Sequence, residues 1–284
     1  MCQQAFNFAP NTSRDSTPPI EVDLHDYDLV IVNSSAGKDS LCSIYEVCRL
    51  AGEQNYPNNQ IVVSHQDLGR MEWADTSKLA REQAGLFNLD FEIIKRIDKH
   101  GKEEDLLEYA ERRGKWPSST QRWCTSDFKR GPGSKILRRL SKEREAAKIL
   151  YVFGFRAEES PARSKREVLV KNKQLSTKKR IVHDWLPIHD WSEAKVWNTI
   201  RENELPYHKA YDLGMPRLSC VFCIFSPKDA LVIAGKHNPE LLDEYIATEK
   251  KIGHTFQHKK PIADIKIAIE NGYEPATKIS NWRM

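Results

Sequence analysis

Apolar residues occur along the chain in two kinds of run. "YDLVIVN" (27–33), "NQIVVSHQD" (59–67), "DFEIIKRID" (90–98) and "KILYVFGF" (148–155) are short and rich in β-branched and aromatic residues. They read as four buried strands, with a fifth extended segment in "RIVHDWLPIHDW" (180–191). Between them the apolar positions recur at helical spacing, as in Leu41, Ile44, Tyr45 and Cys48 of a helix over 39–52. Further helices are expected over 73–87, whose acidic opening suits the helix dipole, and over 102–114. Strands alternating with helices predict an α/β fold with a doubly wound, mostly parallel sheet over residues 26–191. From Ser192 the pattern turns helical, through 192–205, 229–253 and 261–272. Residues 192–284 are therefore expected to form a helical C-terminal region, and the Pro-, Ser-, Thr- and Asn-rich residues 1–25 a flexible N-terminal arm.

Composition narrows this picture a little. The 284 residues suffice for one large α/β domain with an appendage, and 39% hydrophobic with 30% charged residues suits a globular chain. No apolar run approaches the ~20 residues of a membrane span. The first residues lack a basic start followed by an apolar stretch, so the expectation is a cytoplasmic protein with no membrane partner. A net charge of +4 is only mildly basic, but Lys and Arg gather in "FKRGPGSKILRRLSKER" (128–144) and "RSKREVLVKNKQLSTKKR" (163–180). These runs suit either contact with nucleic acid phosphates or a solvated, salt-bridged surface. Of the six cysteines, Cys220 and Cys223 form a CxxC pair and Cys124 sits among polar and aromatic residues. In a reducing compartment these three are candidates for metal or redox chemistry rather than disulfides, while Cys48 reads as a small buried side chain.

The densest chemistry lies in "LVIVNSSAGKDSLC" (29–42), where a strand ends in a short turn before a helix. Such a turn is an anion site, because free N–H groups and the positive helix end point at the ligand. Neither GxxxxGK[ST] nor GxGxxG is present; the pattern is SxGxDS, from Ser35, Gly37, Asp39 and Ser40. The plain alternative is a turn in which Ser35 and Asp39 cap the helix. SxGxDS at a first strand resembles the pyrophosphate loop of the PP-loop ATP pyrophosphatases, the adenine nucleotide alpha-hydrolase group with a HUP-like fold. The resemblance implies that ATP is split between its α and β phosphates. Ser35, Gly37, Lys38, Asp39 and Ser40 would cradle pyrophosphate, and Asp39 would help hold Mg²⁺. "HQDLGRMEWADT" (65–76), "GFRAEESPAR" (154–163) and "WLPIHDWSEAKVWNTIRENELPYHKAYDLG" (185–214) narrow the resemblance to the phosphoadenosine phosphosulfate (PAPS) reductase-like branch. On that reading Arg156 meets the polyphosphate, Asp67, Glu158 and Glu159 position metal or ribose, and Arg163 completes the site; an ordinary surface ion pair is the alternative for Arg156 and Arg163.

Iron–sulfur members of this branch hold a cluster with a Cys-Cys pair and a later CxxC. Here Trp123-Cys124 replaces the pair, which leaves Cys124, Cys220 and Cys223. Three thiolates suit a [4Fe–4S] cluster with one open iron, Zn²⁺ with a fourth ligand such as His183, His189 or Cys42, or a metal-free set of thiols. The reductases' C-terminal nucleophilic cysteine motif has no counterpart, since no cysteine follows Cys223. The resemblance therefore implies an ATP-dependent, pyrophosphate-releasing sulfurtransferase, similar to enzymes of DNA phosphorothioation or tRNA thiolation. Lys38, Asp39 and Arg156 would be catalytic, and the partners an adenine nucleotide, a nucleic acid and a sulfur donor such as a cysteine desulfurase. A homodimer is compatible with this reading. The alternatives are a sulfonucleotide reductase binding PAPS, and a catalytically quiet nucleotide-binding subunit of a larger assembly.

Overall fold

The structure, a computed structural model, describes residues 22–277 and residue 279. Most of the expected N-terminal arm, residues 1–21, lies outside the described residues. Among the described residues six strands form one sheet: β1 (Leu29–Ser34), β2 (Ile61–Asp67), β3 (Asp90–Lys95), β4 (Lys148–Val152), β5 (Leu169–Lys171) and β6 (Ile181–Trp185). Their order is β3-β2-β1-β4-β6-β5, and every neighbouring pair is parallel except β5 with β6. The doubly wound, mostly parallel architecture expected from the pattern is the one observed. From β1 the chain steps to β2 on one side and later returns to β4 on the other, so the carboxyl ends of β1 and β4 bound a topological switch point. In open α/β sheets this crevice holds the ligand.

Among the described residues ten α-helices accompany the sheet: α1 (Lys38–Gln54), α2 (Thr76–Leu86), α3 (Leu106–Arg113), α4 (Trp123–Thr125), α5 (Gly131–Glu143), α6 (Pro161–Ser164), α7 (Glu193–Glu202), α8 (Lys228–His237), α9 (Pro239–Ile252) and α10 (Ala263–Glu270). Successive strand residues point to opposite faces. Val30 and Val32 of β1 pack with Leu41 and Ile44 of α1 and Val196 and Ile200 of α7. Leu29 and Ile31 pack instead against Ile136, Leu137 and Leu140 of α5. Leu29, Val30, Ile31 and Val32 are all fully buried, each contributing roughly 1.5–3 kcal/mol of hydrophobic stabilisation. A further core unites α3, Trp116 and Trp123 with α8, α9 and α10, with Trp116 stacked on Tyr245 at 5.3 Å. Segments on both sides of Ser192 contribute to it. Among the described residues no helix is long and apolar enough to cross a membrane.

Four details differ from the pattern. Residues 131–143, read only as a basic run, are an amphipathic helix; Pro132 occupies its first turn, where a missing N–H is harmless. The edge strand β5, three residues long, was likewise hidden in a basic run. The expected helix over 229–253 is two, parted at Asn238-Pro239, because Pro cannot continue the preceding hydrogen-bond ladder. Asp75, at the start of α2, adopts φ +69° and its side chain caps no amide.

Candidate active site

The turn after β1 is held open rather than self-capped. Gly37 precedes α1 with no side-chain cap, so Ser35 and Asp39 do not satisfy its amides. The Ser40 hydroxyl instead donates to the Gly37 carbonyl at 2.9 Å and accepts from the Ser35 N–H at 3.2 Å, bracing the loop from inside. Ala36 sits at φ +56°, a left-handed conformation costing roughly 1–2 kcal/mol for a residue with a Cβ. It is pinned there by the Ser34 hydroxyl on its N–H and by Gln83 on its carbonyl. A Cβ on Gly37 would meet the Tyr211 hydroxyl at 3.2 Å and Ser35 Oγ at 3.3 Å. Tyr211 in turn accepts from the N–H groups of Lys38 (2.9 Å) and Leu218 (3.3 Å), which ties a distant segment to the loop.

Charge is concentrated behind this turn. Lys38 is buried, with its ammonium 3.4 Å from Asp39, 3.5 Å from Glu193 and donating to the Pro216 carbonyl at 3.2 Å. Arg156, 4% exposed, donates to Asp39 at 2.6 Å, to Glu158 at 2.8 Å and to the Trp191 carbonyl. Burial works against the charge of Asp39, but Lys38, Arg156 and Arg217 outweigh it and hold the carboxyl below its ordinary range. Glu159 accepts from the Arg156 N–H at 2.9 Å, from Arg217 at 2.6 Å and from Arg163. The loops after β1 and β4 touch directly: a Cβ on Gly154 would stand 2.8 Å from the Asp39 carbonyl oxygen. Ser35, Gly37, Lys38, Asp39, Ser40, Arg156, Glu158, Glu159 and Arg163 thus share one site at the switch point. Asp67 stands apart at the end of β2, accepting from the Gly69 N–H at 2.6 Å, with no ion pair to this cluster among the described residues.

The three cysteines lie beside this site. The segment that meets Lys38 and Tyr211 with Pro216 and Leu218 reaches Cys220 two residues later. Cys124 opens a helical run, α4 followed by one π-helical turn (Ser126–Arg130), that also carries Lys129. Lys129 keeps exposed surface yet is densely walled in, as a side chain in a cleft is; desolvation lowers its pKa, and Cys220, Glu72, Cys223 and Cys124 together raise it. Burial pushes the Cys220 thiol up to about 12 and raises that of Cys223, with Lys129 opposing both. The three thiols lie within electrostatic reach of the Lys129 ammonium, but among the described residues no three His, Cys, Asp or Glu side chains converge in a way that could hold a metal ion. Nor do the alternative fourth ligands come near. Cys42 donates to the Val196 carbonyl between α1 and α7, His183 stands against Tyr27, and His189 bonds the Arg163 carbonyl. As arranged, the residues do not fit a resident cluster, zinc or protein-held Mg²⁺, and both Asp39 oxygens are engaged by cations.

His65, Lys129, Gly154, Tyr211 and Arg217 belong to this site but were not singled out by the sequence. His65, buried on β2, bonds the Ser34 carbonyl at 3.0 Å through Nδ1 and Glu72 at 3.2 Å through Nε2, linking the loop to the cysteine cleft. Its role rests on contact across to β1, which no spacing reveals. Lys129 was buried in a basic run, and Gly154 was quoted in a motif without a role.

A family model described as the phosphoadenosine phosphosulfate reductase domain matches residues 30–226. The chain belongs to this family. An uncharacterized protein of Methanocaldococcus jannaschii is 26% identical over 184 residues, 65% of this chain and 40% of that protein. The adenosine 5'-phosphosulfate reductase of Salinibacter ruber is 31% identical over 120 residues, 42% of each chain. The chain spans about 40% of the length of the first of these relatives. Among solved structures, the PAPS reductase of Candida auris in its phosphate complex aligns with 20% identity and TM-score 0.44, covering 67% of this chain and 80% of that one. The PAPS reductase domain match spans the loop, the Arg156–Glu159 cluster and all three cysteines.

Proposed function

We propose that the protein is a PP-loop enzyme that splits ATP between its α and β phosphates and uses the activated acceptor for sulfur transfer to nucleic acid. The observation that carries this reading is the segment Pro216–Cys220, which runs from the Lys38–Tyr211 contacts of the anion loop into the three-thiol cleft. ATP, supplied as its Mg²⁺ complex, lies on the open amides of α1. An acceptor oxygen attacks the α-phosphate, forming an acceptor–AMP bond and releasing pyrophosphate. Lys38 and Arg156 stabilise the charge that develops on that leaving group, and Asp39 fixes both cations.

Because the thiols do not converge on a metal position, sulfur is placed on the cysteines themselves. A persulfide on one of Cys124, Cys220 or Cys223, loaded by a donor such as a cysteine desulfurase, displaces AMP. A neighbouring thiolate then attacks the cysteine's own sulfur in the new disulfide, leaving the transferred sulfur on the acceptor. The protein disulfide so formed is reduced by an external dithiol. Lys129 supports the thiolates that burial disfavours. Cys220→Ser is expected to abolish sulfur incorporation while leaving pyrophosphate release nearly intact, measured in parallel on one preparation. Unchanged sulfur incorporation contradicts the cysteine step.

The family also favours a second reading, sulfonucleotide reduction, since relatives in it are named adenosine 5'-phosphosulfate reductases. That reading expects sulfite from a sulfonucleotide plus an external thiol, without pyrophosphate.

A further inference from the structure

The two basic runs are separated in sequence by β4 and the loop after it, and they meet on one face of the sheet. Leu175, from the segment between β5 and β6, packs in the same core as Ile136, Leu137 and Leu140 of α5. Arg138 on α5 stands near enough to Arg180 for the two like charges to act on each other. Helix α5 runs the length of the strands over β1, β2 and β3. Gly133 sits beside Tyr151 and Gln66 toward the carboxyl ends of the strands, and Arg144 reaches Asp90 and the Asn59 carbonyl at their amino ends.

The runs divide cleanly between internal and outward charges. Arg139 pairs with Glu92 and Glu143, Arg144 with Asp90, and Arg163 with Glu159. Lys135, Arg138, Arg166, Lys178 and Lys179 are exposed and form no ion pair among the described residues. Residues 163–180 hold eight basic side chains against the single acid Glu167, a net +7 where the whole chain carries +4. At the active-site end, the guanidinium groups of Arg163 and Arg166 lie 4.4 and 5.0 Å from the centre of the Phe155 ring, the exposed Arg166 outermost, and Phe155 is itself stacked on Phe153 at 5.4 Å. Phe153 packs into the same core as α5, so this stack and the basic residues share a face.

We propose that the outer side of α5 and the β5–β6 edge form a track for a single-stranded nucleic acid, with one base stacked on Arg166 where the strand reaches the active site. This rests on the nucleic-acid acceptor proposed above. Unpaired cations in a row would suit any polyanion; the planar guanidinium held on an aromatic pillar is what favours a strand with unstacked bases. An anionic membrane would need no such stack.

The test is fluorescence anisotropy of a labelled single-stranded oligonucleotide, its duplex, and phosphatidylserine vesicles, across a salt series. Wild-type protein is expected to bind the single strand most tightly. R138Q/K178Q/K179Q is expected to weaken it at least ~10-fold and to flatten the log–log salt slope by about 2, as three lost phosphate contacts require. Arg166→Lys keeps the charge and is expected to weaken single-strand binding while sparing the duplex. These side chains are exposed and form no ion pair among the described residues, and unchanged thermal melting confirms that the variants fold. Equal binding by the triple variant overturns the track while leaving a nucleic-acid acceptor in place. Binding to vesicles alone, or to no oligonucleotide, overturns both, whereas pyrophosphate release tests the ATP chemistry separately.

Discussion

Replacing Arg156 with Met is expected to abolish pyrophosphate release and to destabilise the fold by about 3–5 kcal/mol, the usual cost of breaking a buried ion pair from one side. Arg156 is the buried cation that joins the loop after β1, through Asp39, to the start of α7, through Glu158 and the Trp191 carbonyl. Glu158 also accepts from the Glu193 N–H at 2.7 Å, so the same carboxylate serves the helix end. Removing the guanidinium leaves Asp39 with Lys38 as its remaining close ion-pair partner. The double variant Arg156→Met/Asp39→Asn separates the two effects. Urea midpoints should recover part of the lost stability, because no uncompensated carboxylate remains, while activity should not recover. Recovery of activity in the double variant would mean that Arg156 acts only as a structural counter-ion.

Gly154→Ala is the second large expectation. The new methyl would stand 2.8 Å from the Asp39 carbonyl oxygen, 2.9 Å from its carbonyl carbon and 3.0 Å from the Ser40 nitrogen, all backbone atoms of the anion loop. No flexible side chain is available to give way, so the ends of β1 and β4 must separate. A displacement of this kind costs about 1–3 kcal/mol in stability. Because the loop amides are then misplaced, it should cost ~100-fold in pyrophosphate release. Gly85→Ala in α2 is the matched control, since nothing lies within 4 Å of its new methyl. There stability should rise by roughly 0.5–1 kcal/mol, with activity unchanged. Equal activity of Gly154→Ala and the wild type would show that the loop tolerates movement and does not bind through a fixed amide cradle.

What could be read from the chain was what is local. Val30 and Val32 followed by Ser35, Gly37, Asp39 and Ser40 make a strand, a turn and a helix start within a dozen residues, and the structure places them so. Charge runs misled, because Lys and Arg mark an outward face without showing the buried one beneath; Ile136, Leu137 and Leu140 of α5 went unread for that reason. His65, Lys129 and Tyr211 reach the site through Ser34, Glu72 and Lys38, more than thirty, fifty and one hundred and seventy positions away, and no spacing rule encodes such contacts. The cysteines fall between these cases. Their nearness to one another was legible from the CxxC and the family resemblance, whereas the charge of Lys129 acting on all three, without a converged metal position, was not.

The central claim is that ATP is cut at its α-phosphate. The direct measurement incubates the protein with ATP radiolabelled at the α-phosphate and with total cellular RNA or DNA as acceptor, then separates the products by chromatography. The expected products are labelled AMP, free or joined to the acceptor, and one pyrophosphate for each, both lost in Arg156→Met. Labelled ADP with free phosphate, or bound ATP that is never cleaved, would contradict it.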